Sequence, residues 1–203
     1  MQRALASLVL LLALVGCDGG NPDVFADMRY AVRCNETRGC PGESQRDICG
    51  FNMGDPCVEL GDVPSFQITC DVEETSDNRT ITFVALGLGF SLRITSLVVP
   101  FAGGPGGGPN CRVRVQEGAN LYEGACGSSA PSEAQPCQIP NVSFRDDMGN
   151  PTLEGSVRCE YLPNTAMPAN HVELSTNGSG PMAQMTPAGF RLANCAGLHV
   201  EAP

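Results

Sequence analysis

The chain has 203 residues, a formal net charge of −10 and no Trp. Its 12 basic residues are all Arg and form no run, so neither nucleic acid nor an anionic lipid surface is an expected electrostatic partner. With two His and no Lys, few groups titrate near neutral pH, which argues against acid–base or nucleophilic catalysis.

Residues 1–17 read MQRALASLVLLLALVGC, with one charge at Arg3 and an apolar stretch from Leu5 to Val15. Eleven residues cannot cross a hydrocarbon core, which needs roughly 20 in a helix. A short apolar core behind a basic start has the form of a signal peptide. Leu14-Val15-Gly16-Cys17 resembles the lipobox of bacterial lipoproteins. The resemblance implies a signal peptide over 1–16, an acylated Cys17 as the mature N-terminus, and a lipidated tether over 17–23. Asp18 to Pro22 is polar and helix-breaking, as a tether would be. The implied place is the bacterial cell envelope, with the protein held to the membrane through Cys17 and facing the periplasm or the cell exterior. The alternative is a lipid-free signal on a secreted eukaryotic protein. Asn35, Asn78, Asn141 and Asn177 each open an N-x-[ST] triplet and would then be candidate glycan acceptors.

With Cys17 set aside for lipid, ten Cys remain: Cys34, Cys40, Cys49, Cys57, Cys70, Cys111, Cys126, Cys137, Cys159 and Cys195. An exported chain folds in oxidising surroundings, so five disulfides are expected. No close C-x2-C pair occurs, so neither a metal site nor a cofactor is expected.

Alternation dominates residues 24–203. Met28, Tyr30, Val32 and Cys34 alternate with Arg29, Ala31 and Arg33. The stretch 34–64 differs: four Cys with Gly39, Pro41, Gly42, Gly50, Gly54 and Pro56 predict an irregular disulfide-rich lobe, read as a cap on one end of the fold, with a recognition loop as the alternative. Phe66, Ile68, Cys70 and Val72 alternate with polar neighbours, and weaker runs follow over 79–86 and 88–99. Residues 102–110 are Gly-rich and resemble a linker. Five of the ten Cys lie on each side, however, so complete pairing requires at least one disulfide across it. The stretch is therefore read as a surface loop within one domain.

The segment 111–126 folds back in register about Gly118-Ala119, with a leading Gly that suits a type II′ turn. That register pairs Val115 with Tyr122 and Arg114 with Glu123, and it sets Cys111 opposite Cys126. Strands are also expected over 139–146, 152–161, 171–176 and 188–195. The fold class is all-β: a two-sheet antiparallel sandwich, with a jelly-roll order among the topologies that the pattern allows.

No catalytic residue is assigned. His171 opens a strand and His199 lies near the C-terminus, and both read as surface or strand-end residues. Asp146, Asp147, Asn150 and Glu154 gather oxygens, but without EF-hand spacing, and they read as a hairpin turn. Glu73 and Glu74 read as a solvated turn. The expected function is a lipid-anchored envelope protein with a non-catalytic structural or protein-binding β domain. One alternative is a glycan- or small-ligand-binding module that uses loops at one end of the sandwich. The other is a carboxylate-dependent hydrolase.

Overall fold

The computed structural model describes residues 24–34, 44–51, 66–87, 89–175 and 189–200. Among these, thirteen strands form and no helix does. They are β1 (Phe25–Cys34), β2 (Ser44–Phe51), β3 (Phe66–Glu74), β4 (Asn78–Gly87), β5 (Phe90–Pro100), β6 (Gly104–Gly106) and β7 (Arg112–Glu117). There follow β8 (Asn120–Gly127), β9 (Cys137–Asp147), β10 (Asn150–Gly155), β11 (Arg158–Pro163), β12 (His171–Ser175) and β13 (Phe190–Ala193).

β3, β4, β5, β7 and β8 make an antiparallel meander. Its alternating residues turn inward as the pattern demands: Ile68, Cys70 and Val72 on β3, and Ile81, Phe83 and Ala85 on β4, are all buried. The β7–β8 hairpin has the expected register, with Val115 opposite Tyr122 and Arg114 opposite Glu123. Gly118 has φ 58°, as the first central residue of a II′ turn requires.

The second sheet is built around a long hairpin. β9 returns as β10 and then β11, which pair with successive parts of it. Where one strand was expected over 152–161, the return arm is broken at Ser156–Val157, and the pairing register slips by one residue there. Beyond this arm lies a single lane shared by two short strands. β12 pairs with β11 and with the Ala31–Cys34 half of β1, and β13 pairs with β10 and with the Phe25–Met28 half of β1. β2 then pairs with β1 along its whole length.

The two sheets share one core. Met28, Val32, Leu153, Leu174 and Leu192 of the split-lane sheet join Ile68, Phe83, Leu92, Ile94 and Val113 of the meander. The rings of Phe83 and Phe190 meet across the interface at 5.1 Å between centroids. This is the expected sandwich, with differences in detail. The meander keeps its strands in one sheet, where a jelly roll would alternate them between sheets. The pairing is not wholly antiparallel either: Cys126-Gly127 of β8 runs parallel to Cys137-Gln138 of β9 and joins the sheets along one edge. Part of the supposed irregular lobe, Ser44–Phe51, is a regular strand, because its backbone completes the edge of β1. The rest of that lobe lies outside the described residues.

The Gly-rich stretch is also more than a surface loop. Gly104–Gly106 crosses to the second sheet and pairs with β9, and Gly107 exchanges two backbone hydrogen bonds with Val98 at 2.7 and 2.9 Å. A Cβ on Gly106 would stand 2.6 Å from Leu97 Cδ1, so a glycine lets the crossing chain lie against the core.

Candidate functional site

The β3–β4 turn is held by Thr75, whose hydroxyl accepts from the Asn78 N–H at 3.1 Å. It sets Glu74 opposite Arg79. Both lie in phase with the buried faces of their strands, and Arg79 is only 4% exposed.

Each nitrogen of the Arg79 guanidinium donates to a protein oxygen. Nε reaches Glu74 Oε1 at 2.8 Å, Nη1 the Phe101 carbonyl at 3.0 Å, and Nη2 the His199 carbonyl at 2.7 Å. Its central carbon lies 4.1 Å from the ring centroids of both Phe101 and Phe144, within cation–π range. One side chain thus joins β3, the end of β5, β9 and the C-terminal segment.

Glu74 completes the cluster. It accepts the His199 backbone N–H at 3.2 Å, and its second oxygen stands 3.5 Å from His199 Nδ1. Burial acts to raise its pKa, but the His199 N–H and the Arg79 guanidinium, with some help from the His199 ring charge, hold it below the ordinary 4.5. Around these groups opens a pocket of about 510 Å³, lined by Glu74, Arg79, Phe101, Ala102, Phe144, His199 and Val200. Its walls are largely aromatic and aliphatic. Its carboxylate is a weak base and its arginine is committed to protein acceptors, so the arrangement suits enclosure of an apolar or flat group better than proton transfer.

Glu74, expected in a solvated turn, instead lies on the inward side with Arg79, which no sequence motif singles out. The missed signal was parity: Arg79 falls on the same alternation as Ile81, Phe83 and Ala85, and Glu74 on that of Ile68, Cys70 and Val72. The two His lie on different elements. His171 opens β12 with its ring 5.8 Å from that of Tyr161, while His199 is 83% exposed beside Glu74.

The acidic turn is an ordinary hairpin. Asp146 accepts the Gly149 N–H at 2.6 Å, Asp147 pairs with Arg191, and Glu154 pairs with Arg145 at 2.6 Å. Among the described residues no group of three or more His, Cys, Asp or Glu is arranged to hold a metal ion.

Three disulfides lie among the described residues: Cys70–Cys195, Cys111–Cys126 and Cys137–Cys159. The first spans the Gly-rich stretch, the second closes the β7–β8 hairpin, and the third joins directly paired residues of β9 and β11. Cys34 and Cys49 fall on β1 and β2, but the positions of their side chains, like Cys17, Cys40 and Cys57, lie outside the described residues. Of the candidate glycan acceptors, Asn78 opens β4 and Asn141 is exposed on β9; Asn35 and Asn177 lie outside the described residues. No protein-family model, no curated protein and no solved structure matches this chain.

Proposed function

We propose that this chain is a lipid-anchored protein of the bacterial cell envelope whose disulfide-stapled β-sandwich serves a structural or protein-binding role without catalysis. The observation that carries this reading is Leu14-Val15-Gly16-Cys17 directly behind the apolar stretch Leu5–Val15. The disulfides agree with an exported protein, since such bonds persist in oxidising compartments. Several carboxylates are engaged by arginines rather than free for hydrolytic chemistry: Glu74 by Arg79, Glu123 by Arg114, Glu154 by Arg145 and Asp147 by Arg191.

One acyl chain holds a protein only marginally, while two or three hold it firmly, at about 0.8 kcal/mol per buried methylene. The wild type is therefore expected to partition into the detergent phase and to incorporate labelled fatty acid at Cys17. Cys17→Ser is expected to lose the label and to accumulate as an unprocessed or soluble form. A wild type that is processed without lipid would overturn the reading. The pocket beside Phe101 favours a second reading, a small-ligand module at one end of the sandwich. Saturable binding of a soluble glycan that Phe101→Ala abolishes would support it.

A further inference from the structure

The strand registers give the sandwich two distinct ends. β1 begins at Phe25, which pairs with Phe51 on one side and with Ala193 on the other. Ala193 in turn pairs with Thr152, two residues past the start of β10. The end at which the chain enters from residues 17–23 is therefore the end that carries the Met148-Gly149 turn. The same end holds the β3–β4 turn, the exit of β5 at Phe101 and the C-terminal segment, all gathered by Arg79. The opposite end carries the turns at Gly89 and Gly118, which touch through a 2.7 Å backbone hydrogen bond.

Apolar side chains are presented to solvent at the entry end. Met148 is 98% exposed and has φ 54°, a backbone region that strains most side chains and favours Gly or Asn. Phe101, at the same end, stacks on Arg79 and is 43% exposed; Leu86 near the opposite end is 41% exposed, so it is the almost fully exposed Met148 that distinguishes the two ends. The neighbouring acids are offset: Asp147 pairs with Arg191, and Asp146 accepts the Gly149 N–H.

We propose that this end is a membrane-contact surface, with Met148 seated among the lipid headgroups. The proposal rests on the reading of Cys17 as acylated. Seven residues, 17–23, reach at most about 25 Å when fully extended, so an anchored Cys17 would keep Val24 and its end of the sandwich close to the bilayer. An apolar tip at that end would meet lipid, and the Gly118 end would face away.

The chain contains no Trp, so a single introduced Trp is a unique reporter. Full-length lipidated Met148→Trp and Ala119→Trp would be reconstituted in phosphatidylethanolamine/phosphatidylglycerol vesicles, some carrying brominated acyl chains. The expected result is blue-shifted emission and strong bromine quenching for Trp at 148, and neither for Trp at 119. Flotation and mass spectrometry of Cys17 would accompany both. If the protein floats with an acylated Cys17 and neither Trp is quenched, the contact surface is wrong and the anchor stands. Equal quenching of both overturns the proposed orientation. A lipid-free Cys17 without flotation overturns the anchor and this inference with it.

Discussion

Arg79 shows how a buried charge is tolerated in this core. It is surrounded by acceptors on three nitrogens and by two aromatic faces, so its desolvation is offset by directed contacts. Without Arg79, the Glu74 carboxylate and the Phe101 and His199 carbonyls all lose their donor, and two aromatic faces lose their contact. Arg79→Ala is expected to destabilise the domain by about 3 kcal/mol or more in urea unfolding with the disulfides intact. Glu74 adds a pH dependence of definite sign. Its folded pKa is depressed below 4.5, so its contribution is fully present above 4.5 and fades as pH falls through the lower folded value. In Glu74→Gln, the part of the acid destabilisation below about pH 4.5 that comes from this group should disappear. An unchanged acid limb in both variants would show that the cluster contributes little.

At the scale of elements, the C-terminal segment closes an edge. The Val72 N–H donates to the Ala196 carbonyl at 2.7 Å and the Ala196 N–H to the Cys70 carbonyl at 2.9 Å, so residues after β13 cover the outer side of β3. An uncovered edge strand is a template for unwanted pairing. Gly197 permits the closure: it sits at φ 75°, and an added Cβ would stand 2.2 Å from the Val72 carbonyl oxygen. Gly197→Ala should lift the segment away, at roughly 1–3 kcal/mol. Hydrogen exchange at the Val72 and Ala196 amides is expected to accelerate, while exchange at Val113 in the middle of the meander stays slow. Protection retained at both edge amides would show that the segment tolerates the change.

At the scale of the whole molecule, the disulfides differ in what they restrain. Cys111–Cys126 has a sequence separation of 15 and Cys70–Cys195 one of 125. In the loop-entropy account, the longer loop stabilises by about 2 kcal/mol more than the shorter one. The paired replacement Cys70→Ala/Cys195→Ala should therefore lower the denaturation midpoint more than Cys111→Ala/Cys126→Ala. The reverse order would mean that local strain or residual structure outweighs loop length.

Much of this architecture was legible in the chain itself. Strict alternation over Phe66–Val72 and the symmetry of 111–126 about Gly118-Ala119 are local patterns, and strand and hairpin form follow from them through the two-residue period and the turn geometry. The lipobox resemblance at Cys17 is likewise a matter of adjacent residues. Other features were decided only by tertiary structure. β2 has no alternation to announce it and is a strand because β1 presents a partner. The Gly-rich stretch reads as flexible but is held by Val98 and β9, which approach it from distant parts of the chain. The Arg79 cluster joins residues 74, 79, 101, 144 and 199, and its two charged members differ in sequence from solvated turn residues only by the parity of their positions. Contacts within a strand or hairpin are encoded by near neighbours in sequence. Contacts between sheets and across the crossing segment depend on where the whole chain folds, and those positioned the pocket.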